Sequence, residues 1–545
     1  MRGRVVGLLA PTPPPYDPLE WAKKPFAEKA RMVCESWALQ GYGTPVGIYV
    51  VYALKVALYI GAWAFFCSFT PGLGSLGDIA AWWLSPIAFQ KAIVWSMLFE
   101  VLGLGCGSGP LTGRYWPPVS GFLHFLRPGT IKLPLSRRWG TQRTVIDALL
   151  YLALLVLLVR ALISPTPDVL PIVLVLVVLG ISDRTIFLAA RGEHYWTTMV
   201  CFVWAPNWIA GAKAVQLALW FWAGFSKLNA HFPTVVAVMT SNSPVLRFAW
   251  LRRRMYKHFP DDLRPSRLAV VMAHAGTALE LGTPMVLAFA SGGPMLVVGM
   301  VLMLMLHGYI TSNVPMGVPI EWNVMVVYGA FALFWAHPEI TALDVGSTGI
   351  GIFLIAMLVA VPLLGNLVPG AMSFLLSMRY YAGNWAYGIW FFKGESYRKL
   401  DRLTKTSGWV YDQLDRFYDR ATGVGLFGKV IAFRLMHLHG RALPVLIPRA
   451  IDRYEDYEQV DGELVAGLAL GWNFGDGHLH DEQLLRAVQR KCGFEPGELR
   501  CIFVEAQPFM GRTQEWRIVD AATGEQSRGV LDVRDLLARQ PWSAT

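Results

Sequence analysis

Charge is the first thing this sequence is short of. Asp, Glu, Lys and Arg make up 16% of its 545 residues, while 54% are apolar. A soluble domain carries about 25% charged residues, so an ordinary water-soluble enzyme is excluded. Cysteine is scarce as well. Cys34, Cys67, Cys106, Cys201, Cys492 and Cys501 form no CxxC pair and no regular framework, which excludes a disulfide scaffold. The glycine-rich Asn473–Gly477 stretch carries neither GK[ST] nor GxGxxG and so is no phosphate cradle, and the chain has no GxSxG elbow and no HExxH zinc motif. The opening MRGRVVGLLA has too short an apolar core before Pro11 and the Pro13–Pro15 run to be a signal peptide. No internal repeat is present, which disfavours a transporter built from matched halves. The net charge of +10 accompanies no nucleic-acid readout motif and reads as basic membrane flanks.

What the chain has in quantity is long apolar runs. About 20 apolar residues are needed to cross roughly 30 Å of hydrocarbon. The pattern predicts about ten spans, near 46–68, 84–105, 145–163, 170–190, 195–206, 208–226, 268–290, 294–311, 323–336 and 350–368. Connections at 71–83, 164–170, 290–294 and 337–348 carry no Lys or Arg, whereas 108–144 and 247–267 are strongly basic, with several Arg and one Lys each. The positive-inside rule then places both termini in the cytoplasm and requires an even number of crossings. The predicted architecture is an all-α polytopic membrane protein of the inner membrane with a small cytoplasmic α+β C-terminal domain. Residues 1–45 would be a proline-rich stretch and interfacial helix, 46–368 the membrane core and 369–452 juxtamembrane amphipathic helices. Within the last of these, the aromatic stretch after 368 reads as lying along the membrane, with a span as the alternative. Residues 453–545 alternate short apolar runs with a polar helix and a DAATGEQ turn, the pattern of an α+β domain with a hairpin.

The chain is organised around Arg191–Phe232. It is aromatic and apolar, opens on Glu193-His194, breaks at Pro206-Asn207 and closes on Lys227, Asn229 and His231. We read it as a hairpin that returns His194 and Lys227 to one side. Ionisable groups inside spans are costly and either pair structurally or mark function. Here they are Lys55, Lys91, Glu100, Asp183, Arg184, Lys213, Glu280 and His307. Asp183-Arg184, near a span end, reads as snorkelling. A lysine between aromatic membrane and polar loop is desolvated, which makes a neutral amine available as a base; an interfacial anchor is the structural alternative for Lys227. His194 can exchange a proton near neutrality, or simply sit in an aromatic belt beside Tyr195 and Trp196.

Taken in order, GEHYWTTMVCFVW, WFWAGFSKLNAHF, MAHAGTALELGTPMVLAF and MLMLHGYI resemble the HTTM core. That is the membrane domain shared by vitamin K-dependent gamma-glutamyl carboxylase and its bacterial relatives. The matching positions are His194-Tyr195, Ala223-Gly224 with Lys227-Leu228, Glu280-Leu281 with Pro284, and His307, all within about 170–340. The whole chain also looks like an uncharacterised bacterial transmembrane family. The resemblance implies a quinol as cofactor or substrate, Lys227 as its base and His194 as proton donor or oxyanion stabiliser. Tyr195, Trp222, Asn229, His231, His274, Glu280 and His307 would shape the pocket. The expected function is action on a quinone- or lipid-type membrane molecule. A non-catalytic lipid-binding subunit, whose tail recruits a cytoplasmic partner, is the alternative. The HxH pairs are set aside as metal sites: His437/His439 lies in a helix-like stretch where the two rings diverge by about 200°, and His478/His480 lies in the turn-like GDGHLHDE, which reads as a helix cap.

Overall fold

The computed structural model describes residues 7–105, 120–313, 320–370, 372, 382–383, 385–472 and 482–544. After a short helical turn at Pro18–Ala22 comes α1 (Phe26–Gln40), whose Ala30, Val33 and Trp37 are buried. The first long apolar helix is α2 (Val46–Cys67), followed by α3 (Pro86–Val101), α4 (Val145–Ile163) and α5 (Leu170–Ser182). At 22 residues, α2 is about 33 Å long, the thickness of a bilayer core.

The anticipated hairpin forms α6 (Gly192–Trp204) and α7 (Trp208–Phe225), separated at Ala205–Asn207. The two pack closely because residue 211 is glycine; a Cβ there would lie 2.6 Å from the Cys201 sulfur. Next come α8 (Phe232–Asn242), α9 (Ala249–Arg254) and a small hairpin of β1 (Tyr256–His258) and β2 (Asp262–Pro265). The remaining core helices are α10 (Arg267–Phe289), α11 (Gly293–Thr311), α12 (Ile320–Gly329) and α13 (Thr348–Leu367).

Among the described residues, five helices are long and apolar enough to cross a membrane: α2, α4, α10, α11 and α13. A sixth is reached if the bent pair Arg420–Met436 and His439–Ala450 counts as one broken span. The protein is thus a largely helical membrane protein with five or six candidate spans. The shortfall from ten has a physical reason. α5 and α6 have 13 residues each and α3 has 16, short of a crossing. α3 is buried almost throughout its length, inside the helical core.

The ionisable groups of the core are neutralised locally. Lys55 pairs with Glu321 at 3.0 Å and Arg191 with Glu100 at 2.9 Å. Lys91 donates to the carbonyls of Phe66 (2.8 Å) and Leu162 (2.9 Å), and Lys213 to those of His337 (2.7 Å) and Ile340 (2.5 Å). Asp183 does not snorkel; it is fully buried and paired with Arg143. Arg184 donates to Gln483, 3.0 Å away in the C-terminal region.

In α13 a π turn spans Ala356–Ala360. Pro362 has no N–H for the Leu358 carbonyl four residues back, and the Trp222 indole donates to that carbonyl at 2.6 Å.

The C-terminal region is a five-stranded antiparallel sheet ordered β4-β3-β5-β6-β7, where β3 is Tyr387–Lys393, β4 Tyr457–Asp461, β5 Leu499–Val504, β6 Thr513–Asp520 and β7 Gly524–Asp532. Tyr387–Phe392, expected within an interfacial segment, is instead a buried inner strand of this sheet. A continuous apolar run fits either environment; Arg379 and its neighbours at 373–381 lie outside the described residues. LVAGLAL belongs to a helix, α15 (Gly462–Leu470), capped by Asp461. It follows α14 (Arg420–Met436), and Arg434 joins the two by donating to Asp461 and Glu463, each at 2.6 Å.

This sheet layer is bolted to the membrane core. The Phe509 amide donates to the Asn366 carbonyl at 2.6 Å, and Phe509 stacks on Phe225 at 4.4 Å. At the β1–β2 hairpin, the Leu263 amide donates to Gln540 at 2.9 Å, and Gln540 donates to Asp262 at 2.8 Å. The Arg264 guanidinium holds the Asp262 carboxyl well below the usual range. A depressed carboxylate contributes stability above its unfolded value and loses it as pH falls through the folded one. Protection of the Leu263 amide, corrected for intrinsic exchange, should therefore stay level from about pH 8 to about pH 4, the ordinary Asp value, and fall only below that. Hydrogen exchange followed by mass spectrometry checks this; a decline already under way near neutrality would refute it.

Candidate functional site

Five membrane-core helices, α7, α8, α10, α11 and α12, and the C-terminal layer line a cavity of about 150 Å³. α7 contributes Leu219, Trp220 and Ala223, a stripe at helical spacing that ends on Lys227 just beyond the helix. α8 contributes Phe232, Val235, Val236 and Met239, the i, i+3, i+4, i+7 face of that helix. α11 brings Leu306 and His307, and α12 brings Trp322, Asn323 and Val326. Trp385, Phe433 and His437 close the cavity from the C-terminal layer.

The wall is apolar except at a few points, and the strongest of these is an ion pair between Lys227 and Glu280. Their side chains are 10% and 5% exposed, so little water competes with the attraction. Glycine makes the meeting possible: a Cβ on Gly224 would sit 2.9 Å from Leu281, the residue beside Glu280. With no such atom, α10 lies directly against α7. Pro284 lacks the N–H that the Glu280 carbonyl would otherwise accept from, so the helix is relaxed where its carboxylate enters the cavity.

His307 is fully engaged. Its Nε2 accepts from the Trp220 indole at 2.8 Å, so its proton is on Nδ1, which faces the Asn323 side-chain oxygen at 2.5 Å. Neither nitrogen is left to move a proton, and the ring's role is to position Trp220 and Asn323. His194 is one layer further back. Its Nδ1 accepts from the Trp322 indole at 3.1 Å, and Trp322 rather than His194 lines the cavity. Tyr195 packs on the His194 ring at 4.7 Å, outside the cavity. The Arg191 guanidinium lies 5.2 Å from the centre of the Trp322 ring.

The structure thus brings Lys227, Glu280 and His307 together, with His194 behind Trp322. Besides Tyr195, four expected pocket residues are elsewhere. Trp222 is two residues from Trp220, about 200° around the helix, and faces α13. His274 is exposed; six residues at 100° each set it about 240° from Glu280. The Asn229 side chain accepts from the Met510 amide at 3.1 Å and so anchors the C-terminal layer. His231 is buried at the start of α8 and does not line the cavity. Sequence reasoning missed Trp322, Asn323, Trp385 and Phe433. The nearest signal was Glu321, which directly precedes Trp322-Asn323.

His437 belongs to a motif weighed only for metal binding, yet here it faces the cavity with Nδ1 2.6 Å from the Phe433 carbonyl. Among the described residues no group of three His, Cys, Asp or Glu side chains is placed to hold a metal; His478 and His480 lie outside them.

A model of the family described as transmembrane protein of unknown function (DUF3556) matches residues 6–545. The chain belongs to this family. The match runs through the membrane core and the C-terminal layer alike, so both walls of the cavity fall within the DUF3556 unit. No curated protein and no solved structure matches the chain.

Removing one partner of a buried ion pair leaves the other charge stranded, at about 3–5 kcal/mol, whereas replacing both with apolar groups is close to neutral. Lys227→Met and Glu280→Met should each lower stability by that amount, and the double variant should recover most of it. Thermal unfolding in detergent measures the cycle. Additive losses would show that the two side chains act independently.

Proposed function

We propose that this protein binds a quinone- or lipid-type amphiphile, with the headgroup in the cavity beside Lys227, and acts on that headgroup by proton transfer. The observation that carries the reading is a buried ion pair, Lys227–Glu280, set into a largely apolar and aromatic wall. A cavity of about 150 Å³ is the size that holds a benzene-like ring. It suits a headgroup while leaving a long tail to the bilayer.

In a site this dry, the proton between ammonium and carboxylate is the movable one. Passing from Lys227 to Glu280, it leaves a neutral amine that can take a proton from a ligand hydroxyl, while Glu280 becomes the matching acid. Glu280 therefore takes the partner role that the motif order suggested for His194. His194 supports the site indirectly, by fixing Trp322. The likeness of motif order to the HTTM core supports Lys227 as the base and a quinol as one ligand of the right class. The second reading, a lipid-binding subunit without chemistry, draws on the same pair: each charge already satisfies the other.

Native mass spectrometry of the detergent-solubilised protein tests the proposal. Wild type should retain a hydrophobic molecule that Val326→Trp, which fills the cavity, excludes. Retention by the filled variant would place the molecule elsewhere and overturn the reading. Lys227→Ala should keep binding but hold the ligand hydroxyl protonated, whereas wild type holds its anion, a difference read in the ultraviolet absorption of the bound molecule. The same spectrum on both would favour the non-catalytic reading.

A further inference from the structure

The segment between α8 and α10 unites features that the cavity does not use. From Phe232 to Pro260 the chain contains no Asp or Glu, yet it carries Arg247, Arg252, Arg253, Arg254 and Lys257. Interleaved with them are large apolar side chains turned outward: Val245 is 66% exposed, Phe248 58% and Trp250 60%. In water alone such exposure is costly, and three neighbouring cases need a reason.

The corner is rigid. Arg252 is buried and donates to three carbonyls, those of Leu39 (2.6 Å), Ser243 (2.7 Å) and Leu246 (3.0 Å). It thereby fixes α9 to α1 and to the end of α8. Its neighbours Arg253 and Arg254 stay exposed, with guanidinium groups 5.8 Å from the Phe259 and Trp250 rings. The two carboxylates of the following hairpin are engaged elsewhere: Asp261 with Arg31 and His258, and Asp262 with Arg264 and Gln540. The exposed basic groups have no carboxylate partner among the described residues.

The corner also sits where candidate spans begin. α10 starts at Arg267 just after the hairpin, and Arg247 faces Tyr49 in the first turn of α2. Ser243, at its root, donates to the Ser312 carbonyl at the end of α11 at 3.1 Å. Aromatic side chains at span ends occupy the headgroup layer, and guanidinium groups bind phosphate in bidentate fashion.

We propose that Val245–Lys257 is a binding surface for anionic phospholipid. Phe248 and Trp250 enter the headgroup layer, and Arg247, Arg253, Arg254 and Lys257 hold lipid phosphates around the foot of α2 and α10. Charge complementarity selects this occupant: an apolar partner would leave the basic groups uncompensated, and soluble phosphate would leave the aromatic side chains in water.

The test uses the full chain in detergent, titrated with phosphatidylglycerol or phosphatidylcholine, counting retained lipids by native mass spectrometry. Wild type should prefer phosphatidylglycerol. Each basic group near an anionic surface is worth roughly five-fold, so the variant R247Q/R253Q/R254Q/K257Q should lose at least about ten-fold of that preference. Removing four exposed charges elsewhere, R398Q/R416Q/R528Q/R534Q, should leave it intact. An unchanged corner variant, or an equal loss in the control, overturns the proposal, as does displacement of the lipid by inorganic phosphate at millimolar concentration. If the corner variant fails to fold, wild type decides: about 1 M salt should abolish a preference of this kind, and a salt-insensitive one rules it out.

Discussion

A charge taken out of water has to be met by something the chain itself supplies, and this protein is built around that constraint. Each neutralising contact joins segments distant in sequence. Glu100 on α3 meets Arg191 before α6, Lys55 on α2 meets Glu321 on α12, and Lys227 after α7 meets Glu280 on α10. Apolar side chains alone would let such helices slide over one another, because lipid tails are as apolar as leucine. Directional pairs fix the register instead. The pair at the cavity is the one whose surroundings leave room for a ligand.

The C-terminal layer completes that cavity. Trp385, Phe433 and His437 form one wall, and their positions depend on Arg434, Asp461 and Glu463 holding α14 to the sheet. Membrane core and sheet therefore share a site, which accounts for the direct bolts between them at Asn366–Phe509 and Asn229–Met510.

Much of this was legible in the sequence, and the rest follows a pattern. A lysine and a glutamate inside apolar stretches announce themselves, because hydrocarbon offers them no solvent; so Lys227, Glu280 and His307 could be picked out. The break at Pro206-Asn207 likewise gave the α6–α7 hairpin. What could not be read is which face a side chain takes. Trp222 and His274 share helices with true lining residues but point the other way. Nor does composition separate a buried helix from a spanning one, which is why α3 read as a crossing. The YGIWFF run met the same ambiguity between strand and membrane. Trp385 and Phe433 lie 59 and 107 residues beyond Val326, the last wall residue of the membrane core, and no local pattern connects them to it.

The π turn in α13 has a consequence of its own. Such a turn holds one residue more than an α-helical turn, so everything beyond it is rotated by about 100° relative to an unbroken helix. Upstream and downstream halves of this one helix are therefore aimed separately. The turn itself receives the Trp222 indole, while the far half presents Asn366 to Phe509. A single supernumerary residue works as a phase adjuster, letting one rod answer two neighbours whose spacing no regular helix would match.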